Sequence, residues 1–303
     1  MRALDGLSTW PVGAAAAGVL AVAPGPPTRL GTTGTAGDPV LVGIAGDPDR
    51  VFAWASVTKL CTTLAVLVAV EEGTMALDEP AGPPGSTVAH LLAHASGLAP
   101  TGTAVLAPPG RRRIYSNAGF ELLGDGLARR AGLPFATYLH EAVLDPLGMR
   151  GVRLADGDSP ASGLSGRLRD LLALGAELLV PSLIDRSTLA HATEVAFPGL
   201  VGVLPGFGRQ DPCDWGLGVE RRDGKHPHWT GRRNSPQTFG HFGQSGSFLW
   251  VDPVAGVACA GLADRDFGPW AADAWPDLAD RVLAELGVPP DGAMKSPVTI
   301  AEP

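Results

Sequence analysis

The chain has 303 residues, 18% of them charged, with a formal net charge of −8. It can bury a large core in one large domain or two smaller ones, and it lacks the excess positive charge that would neutralise nucleic-acid phosphates. Its 41 glycines and 28 prolines are spread along the chain, which signals many turns and no disordered linker. Cys61, Cys213 and Cys259 are odd in number and lack metal-ligand spacing, as expected of reduced, structural thiols in the cytoplasm.

Taken in chain order, Val12–Val22 and Val40–Ile44 read as early strands separated by Gly, Pro and Thr clusters. The run from Val12 to Ala23 is too short to span a bilayer, so no membrane association is expected. As a signal-peptide core ending at Ala21-Val22-Ala23 it has poor flanks, because Asp5, Trp10 and Pro11 surround it and Arg2 is the one early cation. Export is therefore the less favoured reading.

A helix predicted from Ser56 to Gly73 has Lys59 as its one charged residue as far as Val70, which marks it as buried. A cation in its first turn is opposed by the helix dipole and by desolvation, and both favour the neutral amine. The i, i+3 spacing places the Ser56 hydroxyl beside the Lys59 amine, as an activated serine requires, and arginine could not replace a base that must deprotonate. The chain meets almost all of its need for 23 basic residues with arginine and uses lysine at positions 59, 225 and 295 alone. Taken alone, the pair also suits a helix cap with a snorkelling lysine.

From there to about Pro205 the signals are mostly helical. Ser86 or Thr87 can cap a helix through Leu92, and Phe120–Ala131, Phe135–Val143 and Leu168–Val180 have helical apolar spacing. Trp215–Glu220, His241–Val251 and Gly256–Leu262 then read as strands, followed by a helix near Trp270–Leu286. This order implies a discontinuous α/β unit from residues 1–75 and 206–288, a helical unit over 76–205 and a loose tail over 289–303.

Tyr115-Ser116-Asn117 draws on two of the rarest residue types in the chain, and Tyr-x-Asn is expected by chance about 0.01 times. A phenol near a lysine can relay a proton, and an amide can hold both the lysine and a substrate carbonyl. In Gly240-His241-Phe242-Gly243-Gln244, glycine at a strand edge lets a substrate approach the backbone. The Gln244 N–H can there complete an oxyanion hole with that of Ser56. Three other features carry less weight. His90 and His94 lack a third ligand, so no metal is expected; His226-x-His228 lies in a polar loop; and Arg111-Arg112-Arg113 reads as a solvated loop. No Gly-x-Ser-x-Gly or Gly-x-Gly-x-x-Gly motif occurs.

Ser-x-x-Lys, Tyr-x-Asn and His-x-Gly, in this order, resemble the serine β-lactamase and penicillin-binding-protein superfamily, in particular the class C-like branch that includes β-lactamase-type esterases and D-amino-acid peptidases. Leu77-Asp78-Glu79-Pro80, Leu91 to Leu98, Pro108-Pro109-Gly110, Asp145 to Met149 and Trp215-Gly216-Leu217-Gly218 agree with it. The resemblance implies an α/β (α+β) fold, an antiparallel sheet flanked by helices plus an all-helical domain, with the site in the cleft. It implies Ser56 as nucleophile, Lys59 as base or relay, Tyr115 as the partner that activates serine or water, Asn117 as a positioning amide and His241 in the place of a more familiar lysine. No cofactor is implied, and the partner is a small ester, amide or β-lactam. Phe242 lacks the hydroxyl that would hold a β-lactam carboxylate, and His241 is positive only part of the time near neutral pH. Both features favour an esterase-type activity, with weak β-lactamase, peptidase or transacylase action as alternatives. A catalytically silent penicillin-binding or sensor protein is the reading from another class.

Overall fold

The computed structural model describes residues 1–22, 37–155 and 157–290. In chain order its elements are β1 (Ala15–Val22), β2 (Pro39–Gly46), β3 (Val51–Ala53), α1 (Thr58–Glu71), α2 (Val88–Leu92), α3 (Asn117–Ala131), α4 (Phe135–Leu139), β4 (Ser165–Arg167) and α5 (Leu168–Leu179). There follow α6 (Arg186–Thr193), β5 (Gly202–Leu204), β6 (Gly208–Gln210), β7 (Glu220–Arg221), β8 (Phe239–Gly243), β9 (Ser247–Asp252), β10 (Val257–Ala263) and α7 (Pro269–Glu285). One antiparallel sheet in the order β2-β1-β10-β9-β8-β7 joins strands from both ends of the chain.

The period-2 alternation of the central strands divides the core into two layers. Ala16, Leu20, Leu249, Val251, Ala258 and Leu262 face the layer that holds α1 and α5. Val19, Phe248, Trp250 and Cys259 face the opposite layer, closed by Trp275, Leu278 and Val282 of α7 and by Leu4 and Leu7 of a 3-10 segment over Arg2–Thr9. Both faces of β9 and β10 are buried, so these strands read as continuous apolar runs and do not alternate with polar residues.

Several expected boundaries move. The helix foreseen from Ser56 opens as a 3-10 turn over Ala55–Val57, and α1 proper begins at Thr58. The single expected strand over His241–Val251 is a hairpin of β8 and β9, and the expected Trp215–Glu220 strand contributes only its last residue to two-residue β7. The helix α5, foreseen as part of the helical middle, instead packs on the sheet against β1, β9 and β10. A sequence window shows the apolar stripe of α5 but not which surface covers it. Thr87, not Ser86, caps α2 through its side chain. Arg113 is the clearest reversal. It is buried where a solvated loop was expected, and its guanidinium donates to the carbonyls of Cys213, Ala93, Ala196 and Phe197. Cys61, Cys213 and Cys259 are buried and free. Among the described residues no helix is long and apolar enough to cross a membrane. Ala23, Lys295 and the expected tail from residue 291 lie outside the described residues.

Candidate active site

Ser56 sits in the 3-10 turn between β3 and α1, where the edge of β8 meets the helical side of the molecule. The residue before it, Ala55, has φ 44, a left-handed conformation that costs a non-glycine residue roughly 1–3 kcal/mol. The following hairpin holds this backbone in place. Ser245 Oγ donates to the Ala53 carbonyl and Ser247 Oγ to the Trp54 carbonyl, both at 2.7 Å. Gly243 makes the approach possible, because a Cβ there would lie 2.4 Å from both Ser247 Oγ and the Trp54 carbonyl oxygen.

Lys59, in the first turn of α1, is wholly buried. Its Nζ lies 2.7 Å from Asn117 Oδ1, 2.9 Å from the Ala161 carbonyl oxygen and 3.3 Å from Ser56 Oγ. Burial pushes its pKa down to about 7, against a smaller opposing pull from the Glu121 carboxylate. Relative to an ordinary lysine at 10.5, that shift corresponds to about 5 kcal/mol against the ammonium. The same segment can bear this because Val57, Leu60, Leu64 and Leu67 are at most 2% exposed, and each contributes about 1.5–3 kcal/mol on burial.

The hydrogen bonds also orient the amine. Two of its partners, the Asn117 amide oxygen and the Ala161 carbonyl, can only accept. A neutral Lys59 therefore spends both N–H groups on them and turns its lone pair toward the Ser56 hydroxyl. Tyr115 lines the same pocket as Ser56. Burial drives the Tyr115 pKa above its ordinary value, against a smaller opposing effect of the Ser56 hydroxyl, so the phenol stays protonated.

Asn117 is free to reach Lys59 because Ser116 serves as the α3 cap, its hydroxyl accepting from the Gly119 N–H at 3.1 Å. The Leu91–Leu98 turn backs the tyrosine. The His94 ring lies 4.6 Å from Tyr115 and 4.8 Å from Trp215, and its Nδ1 accepts from the Ser116 N–H at 3.1 Å. Trp215 comes from the Trp-Gly-Leu-Gly turn, where Gly218 at φ 73 packs against Thr63 of α1 with no room for a Cβ.

His241 and Phe242 alternate across β8. The Phe242 carbonyl, a pure acceptor, lies 2.7 Å from His241 Nδ1, so Nδ1 carries the proton and Nε2 presents a lone pair with no partner among the described residues. Burial, with Lys59 nearby, pushes the His241 pKa down to about 3. The partial positive charge expected near neutral pH is therefore absent, and the ring acts as a neutral acceptor. Phe242 touches the pocket, but its ring is anchored among Phe207, Trp229, Phe267 and Trp275, on the sheet face away from Lys59. Gln244 lies just beyond β8, with its carbonyl and side chain both held to the Phe267 backbone. Neither its N–H nor that of Ser56, in the first turn of a 3-10 segment, has an acceptor among the described residues.

These residues enclose a pocket of about 200 Å³ lined by Ser56, Tyr115, Asn117, Trp215, His241 and Gln244, with Glu220 in its wall. Glu220 was not singled out by sequence. Its carboxylate accepts from His228 Nε2 and Trp229 Nε1 at 2.8 Å and lies 2.8 Å from Lys225 Nζ, all buried. His228 thus lies in a loop, as expected, but is buried there against the Glu220 carboxylate. No group of three or more His, Cys, Asp or Glu among the described residues could hold a metal.

The antiparallel sheet with its helical layers is the β-lactamase/transpeptidase-like fold, and comparison with known proteins places the chain in the β-lactamase-like serine hydrolase superfamily. The chain belongs to the Beta-lactamase family, whose model matches residues 36–284. It is similar to the crystal structure of a beta-lactamase (Mb2281c) from Mycobacterium bovis, with 51% identity, a TM-score of 0.86 and coverage of 94% of this chain and 99% of that one. Its fold is also that of EstCE1, a hydrolase with promiscuous acyltransferase activity, at 18% identity and TM-score 0.68 over 93% of this chain and 97% of that one. A D-stereospecific amidohydrolase from Streptomyces sp. shares the fold at 19% identity and TM-score 0.66 over the same shares of the two chains. Among curated proteins, D-alanyl-D-alanine-carboxypeptidase/endopeptidase AmpH of Escherichia coli K12 is 30% identical over 139 residues, and the match spans 34% of this chain and 36% of that protein.

Proposed function

We propose that this chain is a cofactor-independent, esterase-type serine hydrolase working through an acyl-enzyme. The observation that supports this best is Lys59 Nζ standing 3.3 Å from Ser56 Oγ with two pure acceptors, Asn117 Oδ1 and the Ala161 carbonyl, to take the N–H groups of a neutral amine. Ser56 Oγ forms a bond to the substrate carbonyl carbon as its proton passes to Lys59 Nζ. The carbonyl electron pair moves to an oxyanion received by the N–H groups of Ser56 and Gln244. The carbon–oxygen bond to the alcohol then breaks, Tyr115 protonates the leaving alkoxide, and the Lys59 ammonium restores the Tyr115 proton. Water, oriented by Tyr115 and the free Nε2 of His241, attacks the acyl carbon as its proton passes to Lys59; the bond from that carbon to Ser56 Oγ then breaks, Lys59 returns the proton to Ser56, and the acid is released. Because Tyr115 is held protonated, Lys59 takes the part of general base.

The preference for neutral esters over β-lactams follows from charge. Lys59 is inside the wall rather than at the mouth, His241 is neutral, and Glu220 is already paired with buried Lys225. A β-lactam or D-peptide carboxylate would find no fixed cation among the residues lining the pocket. One feature favours that second reading: exposed Arg112 lies in the neighbouring groove past Tyr115. The test is intact-mass analysis and turnover with an activated ester and with a penicillin, with Ser56→Ala in parallel. Ester turnover lost in the variant supports the hydrolase. A persistent penicillin adduct without turnover supports a silent penicillin-binding protein, and no Ser56-dependent reaction with either removes the nucleophile assignment.

A further inference from the structure

The catalytic pocket, at about 200 Å³, is smaller than the roughly 300–1,000 Å³ of ordinary small-molecule sites. A substrate larger than its reacting carbonyl must extend out of it, and the structure offers two ways. One passes Tyr115 into a groove of about 430 Å³ that includes Leu106, Arg112 and Val203. The other passes Asn117, which lines both the catalytic pocket and a trough of about 800 Å³.

The trough wall is largely apolar, formed by Pro83, Leu98, Val105, Ala118 and Leu122. Val105 is 52% exposed and Leu122 37%, an apolar rim that the fold itself does not require. The one charged lining residue is Glu121, whose carboxylate accepts a hydrogen bond from Ser159 and has no cation beside it in the trough. The two routes differ in their chemistry. Tyr115, the proposed donor to the departing oxygen, stands at the head of the first, so the leaving group exits there and the acyl group faces Asn117.

We propose that the trough past Asn117 is the acyl subsite, that it takes neutral, apolar acyl groups of medium length, and that Glu121 excludes acyl groups ending in a carboxylate. This inference rests on the serine-hydrolase reading. Apolar chain buried there is removed from water at each methylene, whereas an anion would enter an apolar wall beside a like charge.

The test uses esters with one constant nitrophenol leaving group and varied acyl groups. The expected octanoyl-to-acetyl ratio of kcat/KM is at least tenfold in the natural chain. It falls at least tenfold in Ala118→Trp, which fills the trough, and also in Leu122→Asp, at an exposed rim position that folding tolerates. Glu121→Gln raises the ratio between a glutaryl ester and a neutral five-carbon ester by about tenfold. That ratio cancels any effect of Glu121 on Lys59 common to both substrates. Equal rates for acetyl and octanoyl esters, both abolished in Ser56→Ala, would overturn the subsite and leave the hydrolase standing. Sensitivity of both trough variants to alcohol length instead of acyl length would assign the trough to the leaving group and overturn the proposal. Absence of Ser56-dependent turnover for every ester overturns both readings.

Discussion

Replacing Lys59 with methionine tests the energetic basis of the site apart from its catalysis. The folded chain holds this amine at a pKa of about 7 through burial, against 10.5 for an ordinary lysine. Below pH 7 both folded and unfolded chains carry the proton, and the folded chain bears the full penalty of about 5 kcal/mol. Between pH 7 and 10.5 the unfolded chain binds more protons, so stability rises with pH by up to about 1.4 kcal/mol per unit. Lys59→Met removes this titration while leaving Asn117 Oδ1 and the Ala161 carbonyl without their donor, which costs about 1–3 kcal/mol for each. Denaturant unfolding of both proteins at pH 7 and pH 9 therefore compares two slopes. The natural chain should gain about 2 kcal/mol relative to Lys59→Met over that interval, whatever the offset between them. A difference that does not change with pH would mean that Lys59 stays charged when folded, and it would refute the argument that a neutral amine faces Ser56.

The remaining predictions concern rates and folding. The pH profile of kcat/KM for a neutral ester should rise through an acid limb near 7, where Lys59 loses its proton, and Glu121→Gln should move that limb to lower pH because the carboxylate raises the lysine pKa. A limb that stays in place in the variant would remove Lys59 as the titrating group. Tyr115→Phe should lower kcat by roughly 10²–10⁴, and full activity in steady-state assays would show that the phenol relays no proton. Gly243→Ala places a methyl group against the Trp54 carbonyl and Ser247. The forced displacement should misplace both oxyanion donors, reduce kcat by about 10²–10³ and cost about 1–3 kcal/mol of stability; unchanged kcat would refute the close-approach argument. Arg113→Met leaves the carbonyls of Cys213, Ala196 and Phe197 without their donor and should destabilise the chain by more than about 3 kcal/mol, measured by urea unfolding.

Ser56, Lys59, Tyr115, Asn117, His241 and Gln244 are legible in the sequence because each has an unusual residue type or spacing. A lone lysine in an apolar helix is conspicuous, and rare residues placed two apart stand out against chance. The buried character of α1 and the strand at each end of the chain are legible for the same reason, since hydrophobic periodicity is local. What pairs across long sequence separations is not. The Ala161 carbonyl that orients Lys59 is a backbone atom with no compositional trace, and Arg113 reads as solvated because its partners are carbonyls 20 to 100 residues away. The ring tautomer of His241 depends on one hydrogen bond to its own strand, and its neutrality depends on burial. Phe242 faces away because the pleat of β8 alternates.

By itself, then, the sequence picked out the candidate site residues and the order of the main elements, because those follow from side-chain chemistry and near-neighbour periodicity. The tertiary structure alone decided which protonation state each group takes and which wall opens past Asn117. Desolvation, hydrogen-bond direction and cavity shape are properties of surfaces brought together from distant parts of the chain.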